Sequence, residues 1–122
     1  MGPIWDFDWA FVYAIKPRKH FTHPNESLFV PGNSNGTKFF SRIADNPAIQ
    51  AIYNTEWLRF KIEKYPVLVA YIKEYAETIR ESHANDQQVW KQSSGSIDKY
   101  SIRLLYWLDK RVAYMDGLAT GN

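Results

Sequence analysis

A chain of 122 residues with 45% apolar and 23% charged side chains suits one compact domain, and its 16% aromatic content supplies large apolar areas per residue. The 15 basic and 13 acidic residues are mixed along the chain and leave a net charge of +2, so there is no electrostatic footprint for nucleic acid. No apolar run approaches the roughly 18–20 residues of a membrane span, and zero cysteines excludes disulfides, thiolate chemistry and Cys-type zinc sites.

The chain opens on Gly2-Pro3-Ile4-Trp5-Asp6-Phe7-Asp8-Trp9-Ala10-Phe11. Read with a period of two, Trp5, Phe7, Trp9 and Phe11 fall on one side and Asp6, Asp8 and Ala10 on the other, the alternation of a half-buried strand. Two carboxylates then share a face, roughly 6.5–7 Å apart along the chain, which lets both address one cation or a pair of cations. Hard oxygen ligands of this kind suit Mg2+ or Mn2+, with water and substrate phosphate filling the remaining positions. Without a cation the two negative charges repel and raise each other's pKa. The plainer alternative is the polar face of an amphipathic edge strand.

This opening resembles the motif of the spore-coat CotH kinase family, Gly-Pro-x-Trp-Asp-x-Asp-x-x-Phe. Looser similarity continues through Phe39-Phe40-Ser41-Arg42-Ile43, the Asp45-Asn46-Pro47 helix start, Trp57, and Trp107-Leu108-Asp109-Lys110-Arg111. The resemblance implies an atypical protein kinase that transfers the γ-phosphoryl group of ATP to protein hydroxyls. Its motif takes the place of the kinase Asp-Phe-Gly, whose Asp binds magnesium. Carried over, Asp6 is the ligand for Mg2+ or Mn2+ with ATP, and Asp8 is a second ligand or its support. The implied partners are a protein substrate or coat and cell-surface proteins, and the implied location is spore coat, cell surface or secreted. Val12 and Tyr13 depart from the pattern, in which a small residue commonly follows the closing Phe.

A lone strand is marginal in water, so an opening strand with no earlier partner reads as the start of a C-terminal fragment of a larger kinase-like domain. In the family's pattern the nucleotide cradle and the catalytic base precede the motif, which leaves no base to assign here and predicts that these residues alone are inactive.

Residues 12–36 read as a connector: Pro17, Pro24 and Pro31 interrupt helices, while Asn25, Gly32, Asn33, Ser34, Asn35 and Gly36 favour turns, with Leu28 to Val30 a candidate second strand. Lys16, Arg18, Lys19 and His20 form a small basic cluster, read as a solvated face. His20, His23 and His83 are too few for a zinc site.

From residue 37 the pattern turns helical. Phe39, Phe40 and Ile43 mark a short helix to Ala44. Asn46-Pro47 then caps a second, whose face of Ile49, Ile52, Tyr53, Trp57 and Phe60 runs to about Lys64. Tyr65-Pro66 ends it, because a residue before proline disfavours the α region. Leu68, Ile72, Tyr75 and Ile79 mark a third helix, and Asn85 or Asp86 caps a shorter one holding Val89 and Trp90. A final helix spans about Ser96 to Asp116, with Ile97, Tyr100, Leu104, Trp107, Leu108, Val112 and Met115 as its buried stripe and Gly117 closing it. Arg103 and Arg111 are candidates to bridge acidic side chains of other helices, against a default solvated or structural role for both.

The expected fold is mainly α: an N-terminal strand or hairpin and connector over 1–36, then a bundle of four to five antiparallel helices over 37–122 with the aromatics as core. A second functional class stays open, a non-catalytic helical interaction or scaffolding module, which requires exposed aromatic faces. Unpaired strand edges over residues 4–12 also offer a route to self-association.

Overall fold

The computed structural model describes residues 13–15, 18–20, 24–25, 35–91 and 95–120. The strand expected over the opening motif and that at Leu28 to Val30 lie outside them. Within the stretch read as a plain connector there is a hairpin, β1 (Tyr13–Ile15) with β2 (Arg18–His20). The strands pair antiparallel in the register Tyr13↔His20, Ala14↔Lys19 and Ile15↔Arg18. Direct pairing of residues 15 and 18 leaves two positions of the sequence between the paired strands.

Five α-helices follow among the described residues. Helix α1 (Asn35–Ala44) ends with Arg42 in its last turn, where a cation meets the negative end of the helix dipole. Two residues later Asn46 caps α2 (Pro47–Arg59): its side-chain oxygen accepts from the Ala48 N–H at 2.9 Å and Pro47 occupies the first turn, as its missing N–H allows.

The predicted break at Tyr65-Pro66 is absent. The chain passes from α2 through a single π turn (Phe60–Lys64) straight into α3 (Tyr65–Thr78). Pro66 has no N–H to give the Ile62 carbonyl, and its ring would clash there in a regular α-helix. The π turn resolves this by widening the ladder, with the Tyr65 N–H donating to the Phe60 carbonyl five residues back. Lys64 absorbs the distortion at φ −105°, while Tyr65 keeps helical angles despite preceding proline.

The next corner also differs from expectation. Helix α4 (Arg80–Trp90) starts earlier than Asn85 or Asp86, which lie inside it. Ile79, at φ −95° and ψ 4°, closes one helix and opens the other: its N–H donates to the Tyr75 carbonyl at 3.0 Å and its carbonyl accepts from the His83 N–H at 2.9 Å. Lys91 ends α4 in the left-handed region at φ 52°.

Helix α5 (Ile97–Thr120) is the longest, and it runs through Gly117 rather than stopping there. A Cβ added at Gly117 would meet nothing within 4 Å. Gly117→Ala should therefore stabilise the protein by about 0.5–1 kcal/mol, because alanine loses less backbone entropy in a helix. Urea unfolding followed by circular dichroism checks this.

Packing is centred on α5 against the continuous α2–α3 rod. Contacts pair Tyr53 with Met115, Lys61 with Asp116, Tyr65 with Asp109 and Arg80 with Asp98, so the two run antiparallel. Trp107, Met115 and Ala76 are the buried apolar side chains among the described residues. Trp57 and Leu104 are half-buried. The expectation that the aromatics form the core holds only in part: Tyr71, Tyr75, Trp90 and Tyr106 are exposed, as are Phe39 and Phe40 on α1. Two long helices cover one stripe of each other, and a rod with apolar residues on more than one face keeps the rest of them in water.

Candidate functional site

Asp6 and Asp8, the metal-ligand candidates, lie outside the described residues. What the structure describes is the helical frame that follows them in the chain. Among the described residues no group of three or more His, Asp or Glu side chains gathers where a metal could be held. His83 packs edge-on against the Tyr100 ring at 5.9 Å.

The frame's main seam is a stripe of residues four apart, Tyr53, Trp57, Lys61 and Tyr65, facing the last turns of α5. The Tyr53 hydroxyl donates to Met115 Sδ at 3.7 Å, and the Trp57 indole N–H donates to Asp116 Oδ1 at 2.8 Å. Lys61 Nζ lies 2.9 and 3.0 Å from the two Asp116 oxygens. The Tyr65 hydroxyl donates to Asp109. Three steps of four overshoot the 3.6-residue turn by about 1.2 residues, which would carry Tyr65 off the stripe; the π turn absorbs about one residue and keeps it there. The same distortion that accommodates Pro66 thus aligns four polar groups on one partner helix.

Electrostatics follow the contacts. The Lys61 ammonium, and then the Trp57 N–H, hold the Asp116 acid below the usual carboxylate range. Burial, reinforced by the hydrogen bond to Asp109 and its negative charge, pushes the Tyr65 phenol up to about 12. Tyr53 is raised by burial, which outweighs the opposing charge of Arg111. Because Asp116 is lowered on folding, its ionised form stabilises the protein at pH values above the ordinary carboxylate pKa of about 4, and that contribution disappears as pH falls through the lower folded value. Asp116→Ala should cost about 1–2 kcal/mol at pH 7, a charged hydrogen-bond value discounted for partial exposure, and the gap from wild type should shrink at pH 3. Urea unfolding at the two pH values checks it.

A second cluster fixes the α3–α4 corner to the start of α5. The Arg80 guanidinium donates to Glu77 at 2.6 and 3.0 Å and to Asp98 at 2.7 Å through each of two nitrogens. These bonds lower the Glu77 and Asp98 acids and raise Arg80. All three are solvated, and their role is to set a corner.

Arg111 links α5 to the turn at residues 24–25. Its Nη1 donates to the Pro24 carbonyl at 3.0 Å, and the guanidinium lies 5.2 Å over the Tyr114 ring. This contact spans 87 positions and joins the segment after the hairpin to α5. Among the described residues, Lys61 pairs with Asp116 and Arg80 with Asp98 between elements. Only one part of this could have been read beforehand, the i, i+4, i+8 spacing of Tyr53, Trp57 and Lys61, which repeats a polar or amphipathic tip on one helical face.

A comparison with curated proteins and with solved structures finds no match. The model of the family described as CotH kinase protein matches residues 1–115, from the Trp-Asp-x-Asp opening to Met115 at the seam. The chain belongs to the CotH kinase family.

Proposed function

We propose that this chain supplies the metal motif and helical support of a CotH-type protein kinase, which transfers the γ-phosphoryl group of ATP to protein hydroxyls. The observation that carries the reading is the family match over residues 1–115, with the Gly2-to-Phe11 motif at its head. Asp6 and Asp8 would hold Mg2+ or Mn2+. Their donor set fits, because two carboxylates are the hard oxygen ligands such ions take while leaving positions for water and phosphate. The bound cation supplies neutralisation of the nucleotide's phosphate charge. Residues 1–36 act as the metal-motif strand and connector, and residues 37–122 as the helical support that fixes them. Phosphoryl transfer depends chiefly on positioning and charge stabilisation, so a pair of carboxylates with helical support does not by itself suffice for turnover.

Incubation with labelled ATP, manganese and a generic protein acceptor tests this division of labour. The expected result is manganese binding without measurable transfer. Robust turnover by these 122 residues would overturn it.

One observation favours a second reading, a non-catalytic interaction module of spore-coat or extracellular assembly: Phe39, Ile52, Tyr71, Trp90 and Tyr106 are each more than half exposed. Absence of manganese binding together with saturable capture of a coat or cell-surface protein would favour that reading over the kinase.

A further inference from the structure

We propose that the outward face of α5 is a docking surface for an acidic, partly apolar protein segment, held by Lys99, Arg103 and Lys110 with Ile102 and Tyr106 beside them. The inference concerns α5 alone and does not rest on the metal reading.

Helix α5 sorts its charges by face. Its acids Asp98, Asp109 and Asp116 are eleven and seven positions apart, close to whole numbers of turns, so they fall in one row. All three are engaged: Arg80 donates to Asp98 at 2.7 Å, the Tyr65 hydroxyl donates to Asp109, and Lys61 Nζ lies 2.9 Å from Asp116. Lys99, Arg103, Tyr106 and Lys110 are spaced four, three and four, which makes a second row, on the side turned away from the seam. Its three cations are exposed, and none of them makes an ion pair among the described residues. Lys110 Nζ stands over the Tyr106 ring at 5.4 Å, an attraction that orients the ammonium and leaves its charge in place. Ile102 and Tyr106, 66% and 63% exposed, supply apolar area among the cations.

This row does not serve the fold. Lys99 sits in the first turn of α5, where a cation opposes the positive end of the helix dipole. Lys99 and Arg103 are four apart, and like charges at that spacing repel. An acidic occupant reverses both effects, while its apolar side chains take Ile102 and Tyr106 out of water.

The shape of the row selects the class of partner. From Lys99 to Lys110 it runs about 16 Å along the helix and is one side chain wide. Asp98 and Asp109 flank it on one side. A single acidic chain lies along such a strip, with carboxylates a turn or two apart meeting the cations. A membrane surface or a duplex spreads its phosphates more widely and would bring them against the flanking carboxylates as well.

The test is a titration of a fluorescently labelled peptide, repeats of Glu-Glu-Leu over about 15 residues, with the full chain, followed by anisotropy. Saturable binding is expected at low salt and should weaken at high salt, because the cations are exposed. Lys99→Gln, Arg103→Gln and Lys110→Gln combined should weaken it about tenfold, with helicity kept because glutamine matches lysine and arginine in helix propensity. Lys38→Gln, Lys64→Gln and Lys73→Gln combined remove the same charge from other exposed positions and should change affinity by less than about twofold. Tyr106→Ala should weaken binding several-fold, and the peptide should shift the amide signals of residues 99–113 in wild type. If the α5 triple variant loses helicity, these last two readouts decide the matter on folded protein. Equal losses in the two triple variants, no saturable binding by wild type, or tighter association with phosphatidylserine vesicles than with the peptide would overturn the inference.

Discussion

Trp107→Ala is expected to cost about 3–5 kcal/mol, the range for removing a buried indole, and to lower the melting temperature by roughly 10–25 °C. Trp107 is 9% exposed and sits on the α5 stripe that faces the α2–α3 rod. The core beside it is thin, with Met115 and Ala76 as the other buried apolar side chains among the described residues. Removal of the ring leaves a gap that two helices meeting along one stripe cannot close by small shifts. A domain of ordinary stability has only about 5–15 kcal/mol to lose, so the variant should be partly unfolded at mild denaturant concentration. Tyr106→Ala is the control. That ring is 63% exposed, and its loss should change stability by no more than about 0.5 kcal/mol. Urea unfolding of both variants followed by circular dichroism decides the matter; equal losses would mean that the α5 stripe does not carry the packing.

Asp6→Asn should weaken manganese binding by about a hundredfold while leaving the helices folded. An amide offers one neutral oxygen in place of an anionic group, and a hard divalent cation held by few protein ligands depends on their charge. Asp8→Asn should weaken binding less if Asp8 supports its neighbour, and as much if it is a full ligand, so the pair of variants ranks the two carboxylates. The helical support is the control for folding, because Trp107 and the Asp116 seam lie far along the chain from the substitution. Calorimetric titration with manganese gives the affinities. Equal binding by wild type and Asp6→Asn would remove Asp6 from the site.

Local chemistry made much of this architecture legible. Asn46-Pro47 announced a helix start because a side-chain acceptor and a residue without an N–H suit the same first turn. The stripe Leu104, Trp107, Leu108, Val112 and Met115 announced α5 through its 3.6-residue period, and Trp107 and Met115 are buried as that stripe requires. Three junctions were misread for a shared reason. Tyr65-Pro66, Asn85-Asp86 and Gly117 each carry a strong local preference, and in each case the surroundings overrode it. A π turn took up the proline, a corner braced by Arg80 moved the helix start to residue 80, and helix α5 continued across a glycine.

The candidate site was legible in a different proportion. A two-residue alternation of acids and aromatics can be seen from the sequence, since it involves neighbours. The long-range contacts of the helices cannot, because Lys61 with Asp116 and Arg111 with Pro24 join positions 55 and 87 apart. Nor does a periodic apolar face announce whether anything covers it: the face of α3 was read as core, yet Tyr75 on that face is exposed.

The most direct test is a manganese titration of isotopically labelled protein followed by paramagnetic broadening of its amide signals. If Asp6 and Asp8 share one cation, signals from residues 4–12 should broaden first and together, and those of the hairpin should follow at higher metal. Broadening that begins instead at the exposed acids Glu77 and Asp98, or that never favours the opening segment, would contradict the account.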